Sequence, residues 1–199
     1  MLTPRYLAIL SVALIFCAAP IAKAPDGKEA SRVKVSETVE YYDIGGASVP
    51  ALWHNISTHG PRSGKTAWAG HARWDVSWVF DWRATETGCQ IEEISTSLAV
   101  TYTLPRWSGR NLADQELRDK WDRFSLALRL HEEGHGANGR RAAERINVTL
   151  EQLGPRPTCN ALSLAAEEAA RRVIDEEALN DRLYDNTTLH GLKQGVVLR

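Results

Sequence analysis

Two histidines and a glutamate stand at a chemically useful spacing in Arg129-Leu130-His131-Glu132-Glu133-Gly134-His135. An α-helix advances about 100° per residue, so residues four apart project from one face, one turn from each other. His131 and His135 placed this way can bind one Zn²⁺ at roughly 2.0–2.1 Å. Glu132 is rotated by one residue from the first histidine, where a carboxylate can take a proton from a water activated by the metal. The competing reading is a pair of core histidines satisfied by hydrogen bonds. That arrangement would leave three polar groups to desolvate with no common purpose.

The surrounding pattern supplies a scaffold for these residues. On a helical wheel with Leu117 at zero, Trp121, Phe124, Leu128, His131 and His135 fall within about 40° of that direction, so the histidines continue an inward apolar stripe. Asn111 reads as the N-cap, with Asp114 three positions on, and Gly136 and Gly139 read as terminators. This predicts a helix over 114–135, a second over 140–153 carrying Ala142, Ile146 and Leu150, a break at Gly154-Pro155, and a third over 161–183. Upstream, residues 32–44 alternate apolar and polar residues as strands do, and residues 49–56 form a short helix or an irregular piece. Trp74, Val76, Trp78, Phe80 and Trp82 share one face of a strand, and residues 94–103 form its antiparallel return. An aromatic stripe at period two reads as core. The expected fold is α+β, an N-terminal antiparallel sheet followed by three helices.

A catalytic zinc takes three protein ligands and leaves a fourth position open. One class of such sites has a further histidine six residues after the second. That position is Arg141, and Asn138 replaces the glycine expected between them. Glu144 is half a turn out of phase. Glu176 lies on the apolar stripe of the third helix with Ala165, Ala169, Val173 and Leu183, as an inward ligand or in an ion pair with Arg172. His190 sits in a polar cluster, Tyr184 to Gly191, that reads as a shaped loop beyond the helix end.

Residues 1–24 read as a secretory signal: Arg5, an apolar run from Tyr6 to Ala19, and a small-x-small cleavage site ending at Ala24. An uncleaved anchor or a lipoprotein attached through Cys17 are the alternatives. Cleavage moves the formal charge from −1 to −3. Such a balance gives no footing for nucleic acid, and no second apolar run reaches membrane length. Residues 25–199 then form one domain in the periplasm or outside the cell, with Cys89 and Cys159 as a disulfide pair.

The order of features resembles a bacterial family known as a domain of unknown function and regarded as zincin-like secreted zinc-dependent proteases. The resemblance covers most of residues 36–191. It is carried by Tyr102, Leu104, Pro105 and Trp107, by the His-Glu-Glu-Gly-His helix, and by Tyr184-Asp185-x-x-Thr188-x-His190-Gly191. It implies zinc held by His131, His135 and His190, Glu132 as the base, and Tyr184 and Asp185 as supporting or oxyanion-stabilising groups. The expected activity is metallopeptidase action on a peptide or protein substrate, held extended along residues 95–103. A zinc-stabilised, non-catalytic envelope binding protein and a metal-dependent cell-wall amidase are the alternatives.

Overall fold

The structure is a computed structural model that describes residues 33–199. The expected signal and its cleavage point near Ala24 lie outside the described residues. Strand β1 (Val33–Ile44) leads into helix α1 (Val49–His59), then into the small hairpin β2 (Arg62–Ser63) and β3 (Thr66–Ala67). Two long strands follow, β4 (His71–Thr85) and β5 (Gly88–Trp107), and then helices α2 (Gln115–Glu151) and α3 (Cys159–Thr188). The α+β class expected from the pattern is the one found.

The main sheet has the order β1-β5-β4. β4 is antiparallel to β5, as expected of a hairpin. β1 instead runs parallel to β5, with Val33 opposite Thr96 and Ile44 opposite Trp107, so the sheet is mixed rather than antiparallel. Alternation reports a buried face and is blind to strand direction. Helix α1 precedes the long hairpin, and the two long helices α2 and α3 follow it. Residues 95–103 lie on the central strand, and 96–103 are paired on both sides and have no free edge for a peptide. Among the described strands, the outer edge of β4 is open.

One face of the sheet is covered by the long helices. Leu98, Val100, Tyr102 and Leu104 on β5 meet Leu117, Trp121, Phe124 and Leu128 on α2. Val76, Trp78 and Phe80 on the aromatic face of β4 pack on a second cluster built from Ile146, Leu150, Ala166, Ala170 and Val173, whereas Trp74 packs on the first. Trp82 departs from that face: a register shift falls between Asp81 and Trp82, and Trp82 is 50% exposed.

The most informative departure is that α2 is one continuous helix where two were expected. Its N-cap is Asp114, whose carboxylate accepts from Leu117 N–H at 2.8 Å, and Asn111 lies in the 3₁₀ turn before it. Gly136 and Gly139 do not end the helix because they are where the sheet touches it. A Cβ on Gly139 would lie 2.7 Å from Trp74 Cβ, and one on Gly136 would collide with the Tyr102 hydroxyl. α3 also runs farther than expected, so Tyr184 and Asp185 lie on its last turns rather than in a loop.

Two links tie the helices in place. The Cys89–Cys159 disulfide joins the start of β5 to the start of α3 across 70 residues. A closed loop of that length is worth about 4 kcal/mol by chain entropy. Glu177, 1% exposed, accepts from Arg141 Nε at 2.9 Å, Arg145 Nη1 at 2.7 Å and Asn180 Nδ2 at 3.2 Å. Burial pushes its carboxyl up, but these donors outweigh burial and hold it below the usual range. No helix among the described residues is long and apolar enough to cross a membrane.

Gly139→Ala tests the packing reading of α2. Ala favours a helix interior by about 1 kcal/mol over Gly, but overpacking a tight contact costs about 1–3 kcal/mol. The variant should therefore melt at lower temperature than the wild type. Glu177 predicts an acid limb. Its folded pKa is depressed, so its stabilisation is full above the ordinary carboxylate range near 4.5 and is lost as pH falls through the lower folded value. In thermal melts, wild type should lose more stability than Glu177→Gln between pH 5 and 3; parallel curves would contradict this.

Candidate metal centre

His131 and His135 continue the buried stripe of α2, with side chains 5% and 9% exposed. Each ring is fixed from behind. His131 Nδ1 lies 2.8 Å from Gln194 Oε1, and His135 Nδ1 lies 2.9 Å from Asp181 Oδ1. Both partners are acceptors, so each Nδ1 carries the hydrogen and each Nε2 presents a lone pair. The orientation of Gln194 is set by its amide donating to the Tyr184 hydroxyl at 3.0 Å.

Both Nε2 atoms face one oxygen. Asp185 Oδ1 is 3.2 Å from His131 Nε2 and 3.2 Å from His135 Nε2, and the three donor atoms lie within 4.8 Å of one another. Three lone pairs converging in a buried place repel unless a cation lies among them. Ligands at about 2.0–2.1 Å on tetrahedral corners are about 3.3 Å apart, which matches both His–Asp separations. A proton is a poorer solution. Burial opposes a charged His135, but the Asp181 hydrogen bond and nearby carboxylates outweigh it and raise its pKa. His131 goes the other way: burial and the neighbouring His135 leave its pKa lowered despite its hydrogen bond to Gln194 Oε1. The His131, His135 and Asp185 group therefore fits a metal ion.

Glu132 is buried beside this group, 4% exposed. Burial is the main cause that pushes its pKa up to about 7, with the charges of Asp185 and Asp181 in the same direction. His135 and a hydrogen bond from the Ala72 backbone N–H act against the rise. Room for the carboxylate comes from Gly70, where a Cβ would lie 2.6 Å from Glu132 Oε1. Tyr42 donates to the Ala69 carbonyl at 2.7 Å on the same side, and burial there raises its pKa.

The remaining expected residues are placed as follows. His190 approaches the same Asp185 oxygen, Nδ1 to Oδ1 at 3.4 Å, with a side chain 46% exposed. Tyr184 stacks on the His131 ring at 5.1 Å, and its hydroxyl donates to the His131 carbonyl at 3.2 Å. Gly134 makes this possible, since any Cβ there would collide with the Tyr184 ring. Glu176 is not inward: its side chain is 58% exposed and pairs with Arg145 rather than Arg172. The buried stripe of α3 runs through Leu162, Ala166, Ala169, Val173 and Glu177; it keeps Ala169 and Val173 of the expected stripe, but takes Ala166 and Glu177 in place of Ala165 and Glu176 and leaves Leu183 exposed.

The group opens into a cleft of about 600 Å³, with Trp68, His71, Leu192 and Val196 among its walls. Over residues 39–191 the chain matches the family described as bacterial protein of unknown function, DUF922. The chain belongs to that family. No curated protein and no solved structure matches it.

In this DUF922 member the resemblance implies Asp185 only as a supporting group, and Asp181 has no expected role. The two are four apart on α3, mirroring the histidines on α2, a signal hidden by ending that helix at residue 183. Asn138 donates to Asp181 Oδ1 at 2.6 Å, and Asp181 is held below the usual carboxylate range by this bond, by His135 and by Trp74, against its burial. Gln194, in a 3₁₀ turn near the C-terminus, gives no sequence signal at all.

Metal titration against a chelating indicator tests the donor set. Asp185→Asn should abolish uptake at metal levels that saturate the wild type. Asp181→Asn should weaken it about 10–100-fold, as loss of a hydrogen-bonded partner behind a ligand does. Glu176→Gln should bind as wild type. Undiminished binding by Asp185→Asn would remove it from the set.

Proposed function

We propose that this protein is a zinc-dependent peptidase that acts outside the cytoplasm. The observation that carries the reading is a buried carboxylate, Glu132, set beside a converging His₂Asp group at the wall of an open cleft. Two nitrogen donors and an oxygen donor, with His–Asp separations of tetrahedral size, suit Zn²⁺. Bound there, the metal supplies Lewis acidity toward a carbonyl and a water.

The chain's own residues account for the rest. Glu132 takes the proton of the attacking water as its oxygen bonds to the peptide carbonyl carbon. It returns a proton to the amide nitrogen as the carbon–nitrogen bond breaks. Burial suits both halves of this work, because it brings the carboxyl into the range where it can gain and lose a proton near neutrality. The Ala72 N–H fixes the carboxylate. The start of β4 borders the cleft at His71 and Ala72, and its open edge offers backbone groups to an extended peptide. The Cys89–Cys159 disulfide supports an oxidising compartment, in keeping with the export expected from residues 1–24.

Two substitutions separate catalyst from scaffold. Glu132→Gln keeps the shape and removes the base, so zinc content should persist while turnover of any cleaved peptide falls about 10²–10⁴-fold. His131→Ala should lose zinc and turnover together. Wild-type turnover by Glu132→Gln would defeat the base assignment. Absence of cleavage by the zinc-loaded wild type across broad peptide libraries would favour the zinc-stabilised binding protein.

A further inference from the structure

The peptidase reading leaves His190 without a task, and its placement suggests one. Its side chain is 46% exposed on the cleft wall, whereas the His131 and His135 side chains are 5% and 9% exposed. The ring is held rather than free. Trp68 packs against it at 4.4 Å between centroids. Its backbone is left-handed, φ 51°, following Leu189 at φ 52°. Two successive non-glycine residues in that region cost of order 1 kcal/mol or more each and persist only where the surroundings enforce them. Here the enforcing bonds are His190 N–H to the Asp185 carbonyl at 2.8 Å and Gly191 N–H to Thr188 Oγ1 at 3.2 Å.

Resting on the peptidase reading, we propose that His190 is a catalytic residue that faces the substrate: its ring N–H donates to the oxygen of the scissile carbonyl as negative charge develops there. On that reading Asp185 takes the third ligand place, and its Oδ1, 3.4 Å from His190 Nδ1, puts the ring beside the donor group. A donor so placed stabilises the transition state more than the bound substrate.

The test uses full-length mature protein loaded with Co²⁺ or Zn²⁺. His190→Ala should keep the metal stoichiometry, the metal affinity and the visible Co²⁺ spectrum of the wild type, whereas Asp185→Asn should not load. On a cleaved peptide, His190→Ala should lose about 10²–10³-fold in kcat with KM little changed. His190→Asn, which keeps a donor near the Nδ1 position, should recover part of the loss. Acetohydroxamate titrated into the Co²⁺ protein gives a readout independent of any peptide. Its affinity should fall about tenfold or more in His190→Ala, the size expected for a lost hydrogen bond to a charged group. A shifted Co²⁺ spectrum or lost metal in His190→Ala makes His190 a ligand and overturns the proposal. Unchanged hydroxamate affinity overturns it as well, even where the peptidase reading survives. Cleavage of no peptide, with hydroxamate affinity reduced as expected, faults the substrate class and keeps the role of His190.

Discussion

The arrangement on which the rest of the structure depends is the meeting of three unshared lone pairs at one buried point. His131 and His135 come from α2 and Asp185 from α3, so the separation of two helices must be held to a fraction of an ångström for the donors to converge at 3.2 Å. Apolar packing alone tolerates sliding of that size. Directional bonds do not, and a continuous set of them runs beside the contact. Glu177 on α3 binds Arg141 on α2, Arg141 Nη2 donates to Asn138 Oδ1 at 2.7 Å, Asn138 donates to Asp181, and Asp181 accepts from His135. A buried carboxylate between two arginines is costly to isolate, so the helices cannot part there without a large penalty. The metal group thus sits at the end of a polar seam that fixes helix register.

The same demand explains an odd feature of α2. Three glycines, at 134, 136 and 139, fall within six residues of a helix that does not break. Each costs about 0.5–1 kcal/mol relative to alanine in a helix interior. Each lies where a large side chain from another element reaches the helix backbone: Tyr184, Tyr102 and Trp74. Glycine gives up propensity so that α3 and the sheet can approach, and the approach of Tyr184 is what buttresses the His131 ring.

Local periodicity made part of this legible. The inward stripe from Leu117 to His135 and the β4–β5 hairpin follow from residue type and spacing, and the pairing of Cys89 with Cys159 from expected export and the two cysteines left after cleavage. What stayed hidden depended on partners distant in sequence. Gly136 and Gly139 look like stops unless Trp74 and Tyr102 are known to pack on them. Residues 184–188 look like loop because they are polar, but they are polar because α3 ends against a polar site. Glu176 and Glu177 are adjacent, and a phase error of one residue exchanges the exposed acid for the buried one. The direction of β1 is invisible to an alternation that any half-buried strand shares.

The choice between a structural and a working metal group turns on Glu132. A stabilising site needs its ligands and nothing more, and an apolar residue at position 132 would pack more cheaply than a carboxylate that is 4% exposed. The protein instead keeps the acid, clears space for it at Gly70, and gives it a backbone donor at Ala72. Asp181, equally close to the site, receives several donors and is held firmly ionised. Two carboxylates in one pocket thus have environments that drive their proton affinities apart, one fixed as an anion behind a ligand and the other free to exchange a proton. Such a division is expensive to fold and has no use in a purely stabilising site, and it is this that supports the proposed reading of a site that turns over.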